Sequence, residues 1–283
     1  MSIFNGNIRI LGPRPSGKLT YLVALASFPH ADDKTSPIIS IDLLGDETQC
    51  LSQMGEHILR NGLGLAPTPP GSEGIYRFLI KLKSRSSIIP GFRSKDTELH
   101  FSCSFYAGEL FDCLLENKNN DLVCRYLDDL ASVKQVILLI DTTSRLDQHC
   151  AEVLEVLEKE LSQRITATEK QDYRIAIVFS KFDQPQAWIY RENIEQFTAL
   201  KFPQMKSVME NWSQSWSCRT HYFACSAYGM TGNPLVPNAA CINRGETGTF
   251  AVLKSPITWN PFGLVSPIYW LLTGKHDRRL DTA

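Results

Sequence analysis

The chain has 283 residues, 43% of them hydrophobic and 21% charged, with a formal net charge of -1 at pH 7. That balance excludes a strongly basic nucleic-acid footprint and a polybasic membrane-surface patch, and no apolar run approaches the ~20 residues of a membrane span. Eight cysteines without a C-x-x-C pair argue against zinc and disulfide scaffolds and for reduced thiols in a cytoplasmic compartment; no signal-peptide pattern opens the chain.

Asn7 to Leu11 alternates like a short strand and runs into Gly12-Pro13-Arg14-Pro15-Ser16-Gly17-Lys18. These seven residues fit the phosphate-loop pattern G-x-x-x-x-G-K-[ST] at every fixed place but the last, which is Leu19, with Thr20 behind it. In such a loop the backbone N–H groups cradle phosphates and the lysine reaches the terminal ones, while the hydroxyl after the lysine binds Mg²⁺. Lys18 to Phe28 is apolar at helical spacing, so the motif sits between a strand and a helix, as it must.

Pro37 to Leu44 reads as a further strand, and Gly62 to Gly74 as a Gly/Pro-rich loop. Ile75 to Leu82 and Glu98 to Phe105 read as strands, joined as an antiparallel hairpin through Lys83 to Thr97. Glu109 to Ala131 is amphipathic and helical, with a break near Asn119-Asn120. Val136 to Ile140 and Arg174 to Phe179 are continuous apolar runs typical of strands covered on both faces. Leu146 to Leu161 and Ala187 to Trp216 read as helices, the second interrupted near Pro203. His221 to Cys225 is a last short strand. Met230 to Pro256 reads as an irregular insert, and Pro261 to Thr273 as a closing helix. Strands alternating with helices specify an α/β fold of three layers, the architecture of the P-loop NTPases, with a mostly parallel sheet and an antiparallel edge hairpin. A single domain over residues 1–283 is the simplest account.

The strand Arg174 to Phe179 ends in Ser180-Lys181-Phe182-Asp183, which matches the [NT]-K-x-D element of GTP-binding proteins with serine in its first place. There the aspartate accepts from guanine N1–H and the 2-amino group, and the lysine stem lies along the base. Adenine offers no matching pair of donors and would leave the carboxylate unpaired. The strand His221 to Cys225 ends in Ser226-Ala227, where a backbone N–H can meet guanine O6. In open α/β sheets such residues meet a ligand beyond the carboxyl ends of the strands.

On these residues the chain resembles the translation-factor-related (TRAFAC) class of P-loop GTPases. Gly12 to Lys18 with Leu19-Thr20-Tyr21-Leu22, and the closing Asn260-Pro261-Phe262-Gly263 with Pro267 to Leu272, resemble a bacterial group of stand-alone GTPase-like proteins of multi-protein signalling or conflict systems. The resemblance implies a site for GTP or GDP built from Gly12, Arg14, Ser16, Gly17, Lys18, Leu19, Thr20, Ser180, Lys181, Asp183, Ser226 and Ala227. It implies a protein partner in a larger assembly, with no direct nucleic-acid contact.

Two departures fall on the metal. Leu19 stands where the class has Ser or Thr, and Phe105, in Phe105-Tyr106-Ala107-Gly108-Glu109, stands where D-x-x-G has its aspartate. Mg²⁺ is therefore doubtful and hydrolysis weak or absent. Thr20 is a substitute only if the helix starts one residue late, since a step of ~100° turns it away. Asp141 is either a metal-holding carboxylate or a cap on the next helix. Thr68 is the candidate for the threonine that senses the γ-phosphate. Glu109, in the place of a water-orienting glutamine, either positions water or serves as a helix N-terminal acid, and it would repel a γ-phosphate. Arg14 either contacts phosphate or is solvated. A pseudo-GTPase switch or scaffold, a slow GTPase and a structural subunit with an empty pocket remain open. Trp188, Trp212, Trp216, Trp259 and Trp270 belong to core or interface; Trp212 and Trp216 share a helical face and, if exposed, would make a partner surface.

Overall fold

A computed structural model describes residues 2–27, 36–61, 74–84, 95–116, 120–243 and 249–282. In chain order the elements are β1 (Ser2–Leu11), α1 (Lys18–Ser27), β2 (Ile38–Leu44), α2 (Asp46–Gly55) with a π-helical turn (Glu56–Arg60), β3 (Tyr76–Leu82), β4 (Thr97–Phe105), α3 (Gly108–Glu116), α4 (Asp121–Ser132) and β5 (Gln135–Asp141). Then come α5 (Asp147–Ser162), α6 (Ala167–Asp172), β6 (Arg174–Ser180), α7 (Pro185–Trp188), α8 (Ile194–Lys201), α9 (Pro203–Trp216) and β7 (Arg219–Ala224). The chain closes with β8 (Met230–Thr231), β9 (Val236–Pro237), β10 (Ala239–Asn243), β11 (Thr249–Leu253), α10 (Ser266–Thr273) and a 3₁₀ turn (Arg278–Leu280).

Side chains of a strand point alternately to its two faces. In β5, Val136, Leu138 and Ile140 enter an apolar cluster with α3, α4, α5 and α9, while Ile137 and Leu139 enter a second cluster with α1, α2 and α10. Both faces of the strand are covered, which is why its run is continuously apolar. The result is three layers: helices, a seven-stranded sheet in the order β2-β3-β4-β1-β5-β6-β7, and helices. The strands β4, β1, β5, β6 and β7 are parallel. The expected three-layer, mostly parallel α/β fold is the one observed.

The β3–β4 hairpin is antiparallel, as expected, pairing Tyr76 with Cys103 through Leu82 with Thr97. It is not the edge: β2 adds antiparallel to β3 and takes that place. β1 starts earlier than its alternation suggests, because Ser2 to Ile10 pair residue by residue with Thr97 to Phe105 although the first half buries little. Of the helical break expected near Asn119-Asn120, Asn120 is the cap of α4, its side chain accepting from Leu122 N–H at 2.9 Å; Asn119 lies outside the described residues. Residues 230–243 and 249–253 carry two small antiparallel sheets, β8–β9 and β10–β11, where an irregular insert was expected. The closing helix begins at Ser266 rather than Pro261, because residues 260–263 are held as a strap against the end of β7. Trp212 and Trp216 are 1% and 3% exposed, so their shared face is core and offers no partner surface.

Candidate nucleotide site

The parallel strands end side by side, and each releases one part of the site at its carboxyl end: Gly12 after β1, Asp141 in β5, Ser180 in β6, and Ser226 just past β7. The loop from Gly12 to Gly17 opens directly onto the first turn of α1, whose N–H groups have no partner within the helix and whose dipole favours an anion. Gly12 has φ +147°, and a Cβ there would stand 2.1 Å from the Leu139 carbonyl oxygen. Gly17 has φ +85° with open space around it, so its requirement is conformational alone.

Lys18 is buried, and its ammonium folds back over the loop. It donates to the Gly12 carbonyl at 2.7 Å, the Pro13 carbonyl at 3.3 Å and Ser16 Oγ at 3.4 Å. Burial lowers its pKa to about 8; the Asp112 carboxylate works against that shift and the Arg14 charge adds to it. The lysine is thus a desolvated cation held by acceptors of the loop, a position that a phosphate would stabilise.

The base side is tied to the phosphate side. Ser180 Oγ donates to the Ser16 carbonyl at 2.8 Å, so the serine that replaces Asn or Thr in the recognition element still braces the loop. Asp183 is 2% exposed. Its Oδ1 accepts from Ser226 Oγ at 2.7 Å, and its Oδ2 accepts from Gln184 Nε2 at 3.3 Å. Burial raises its pKa, with the Ser226 bond working in the other direction. The structure therefore joins Asp183 and Ser226, read separately from the sequence, in one unit. Lys181 takes a left-handed backbone, φ 56°, which presents its side chain away from the strand. Its Nζ pairs with Asp141 Oδ2 at 2.5 Å.

Asp141 is not the helix cap that was one of its two expected roles. Its Oδ1 accepts from Thr143 N–H at 2.8 Å and Thr143 Oγ1 at 2.7 Å, closing a turn six residues before α5 begins. It therefore caps no helix, and its second oxygen is committed to Lys181. Arg14 and Glu109, read as a phosphate contact and a water-positioning acid, form an ion pair with each other. Gly108 lets this happen: a Cβ there would lie 2.9 Å from Arg14 N and 2.5 Å from its Cγ. The N-terminus of α3 thus packs directly on the apex of the phosphate loop.

The residues at the metal corner do not fit Mg²⁺, which demands an octahedron of oxygens. Leu19 packs against the apolar cluster that contains Phe105. Phe105 is 5% exposed and stacks on Tyr76, ring centroids 6.1 Å apart at 3°. Neither side chain carries an oxygen. Thr20 is partly buried on α1, one residue beyond the position the metal would need. Among the described residues no group of three or more His, Cys, Asp or Glu side chains is placed to hold a metal ion. Thr68 lies outside the described residues.

Sequence reasoning missed the strap. Ser226 and Phe262 exchange backbone hydrogen bonds, both at 3.1 Å, and Trp259 Nε1 donates to the Ala227 carbonyl at 2.8 Å. Gly229 and Gly263 have φ +68° and +69°, and a Cβ at either would strike backbone oxygen at 1.8 Å (Asn260) or 2.0 Å (Ala224). Asn260-Pro261-Phe262-Gly263 therefore fixes the Ser226-Ala227 turn from behind. Two glycines flanking apolar runs were the visible signal, but nothing in one sequence pairs them.

No protein-family model and no curated protein matches this chain. Among solved structures it is similar to Sup35 complexed with GDP (12% identity, TM-score 0.35), covering 80% of this chain and 38% of that one. It is also similar to a mutation variant of SsGBP (14%, 0.36; 78% and 50%). A third is the signal recognition particle receptor SRb-GTP/SRX complex from Chaetomium thermophilum (13%, 0.39; 80% and 92%). The chain thus spans about two fifths and one half of the first two chains.

Proposed function

We propose that this protein binds a guanine nucleotide, GTP or GDP, without efficient hydrolysis, and acts as a switch or scaffold subunit of a larger bacterial assembly. The observation that carries the reading is the Asp183–Ser226 pair beside the Ser180–Ser16 brace. These bonds support the reading because a buried carboxylate, one oxygen of which has a long 3.3 Å contact, and the phosphate-loop motif are braced through neighbouring strand ends. A guanine would replace the long Gln184 contact with its N1–H and 2-amino group; adenine lacks that pair of donors. Lys18 and the first turn of α1 would hold the diphosphate.

Loss of hydrolysis is supported by the apolar metal corner, because Mg²⁺ neutralises charge that develops during phosphoryl transfer. A slow GTPase that uses Asp141 for metal gains no support, since both oxygens of that carboxylate are engaged. The test is phosphate release at saturating GTP with Mg²⁺ present. The expected result is no sustained turnover; steady, strictly Mg²⁺-dependent release would overturn the pseudo-GTPase reading.

A further inference from the structure

At the apex of the phosphate loop, charge is arranged in a way that bears on which nucleotide fits. Two carboxylates of α3, Glu109 and Asp112, lie one helical turn apart. Glu109 pairs with Arg14, and Asp112 lies close enough to act on Lys18. Asp112 is also bound by His149 Nε2 at 2.8 Å, which fixes its position. Arg14 and Lys18 supply two positive charges, Glu109 and Asp112 two negative ones, and the corner where a metal would add two more carries Leu19 and Phe105. A third phosphate placed beyond Lys18 would meet this apex with no net positive charge to receive it. A second phosphate, held deeper by the α1 N-terminus and Lys18, would not.

We infer that the pocket selects nucleoside diphosphate over triphosphate, with Glu109 as the discriminating residue that takes up Arg14 and repels the γ-phosphate. The inference rests on the reading of the pocket as a guanine-nucleotide site. In this arrangement the N-terminal acid of α3 satisfies the arginine that a γ-phosphate would otherwise claim. The diphosphate state leaves that ion pair intact, and the triphosphate has to break it.

Calorimetric titration of GDP and of GTP into the full chain, in buffer containing EDTA, tests this. GDP is expected to bind at least about tenfold more tightly than GTP, the equivalent of about 1.4 kcal/mol. Glu109→Gln should bring the ratio towards one by raising GTP affinity, whereas Arg14→Gln, which leaves Glu109 uncompensated, should widen it. GDP binding by each variant reports that its pocket is folded. A wild-type ratio near one or in favour of GTP overturns the inference alone, as does a ratio that Glu109→Gln leaves unchanged. Failure of the wild-type protein to bind either nucleotide overturns the inference together with the reading beneath it.

Discussion

In the proposed reading, Asp183 is the residue on which nucleotide identity turns. Its Oδ1 is held by Ser226, so the carboxylate is oriented before any ligand arrives. Asp183→Asn keeps the shape but turns one acceptor into a donor that faces the guanine donors. Guanine affinity is expected to fall by about 10²-fold or more, since a mispaired buried polar group costs ~1–3 kcal/mol on each side; calorimetry with GDP measures it, and an unchanged melting curve shows the fold intact. Lys18 gives a pH signature. With its pKa near 8 in the free protein, the ammonium opposes folding below that pH, and the penalty disappears as pH rises towards the ordinary lysine value. For phosphate binding the sign reverses, because the ligand needs the protonated form. GDP affinity should therefore fall about fourfold from about pH 7 to about pH 8.5, with proton uptake visible as a buffer-dependent heat; Lys18→Met should remove the dependence. The motifs that carry Lys18, Asp183 and Ser226 were legible in the sequence because each follows a strand pattern. The partners of Lys181, Arg14 and Asp141 were not. Lys181 and Asp141 lie 40 residues apart and meet only because β5 and β6 end in register, and local spacing carries no such information.

At the scale of elements, the sequence shows what each segment is better than what it leans on. β5 and β6 declare themselves by unbroken apolar runs, since both faces are covered. Residues 261–263 of the strap were read as the start of the closing helix because Pro261 to Thr273 is mostly apolar; backbone hydrogen bonds between Phe262 and Ser226 hold them against the end of β7 instead. Gly263→Ala tests the strap. The added Cβ faces the Ala224 carbonyl at 2.0 Å in a left-handed backbone, so a loss of about 1–3 kcal/mol is expected, measured by denaturant unfolding. GDP affinity should fall with it, because the Ser226-Ala227 turn loses its backing; unchanged affinity would separate the strap from the base site. α9 supplies a contrast. Trp212 is buried in the cluster that α3, α4, α5 and α9 build, and Trp212→Ala should cost about 3–5 kcal/mol while leaving GDP affinity unaltered in the protein that remains folded.

For the whole molecule, topology accounts for the gathering of the site. A parallel sheet points all its carboxyl ends one way, so residues from positions 12, 141, 180 and 226 converge without any local sequence relation. That much follows from counting strands. What does not follow is the added edge strand β2, whose pairing with β3 is set by a sheet edge and not by its own composition. Nor does the apolar filling of the metal corner, visible as two single substitutions but understood only when Leu19 and Phe105 are found in one cluster. The proposed pocket holds a guanine nucleotide without a metal. Calorimetric titration of GDP and ATP into the full chain, with EDTA and again with Mg²⁺, tests that most directly. GDP is expected to bind in EDTA, with an affinity that Mg²⁺ alters by no more than about twofold, and ATP is expected to give no binding heat. Binding of GDP only when Mg²⁺ is present, equal binding of ATP, or no binding of GDP at all would contradict it.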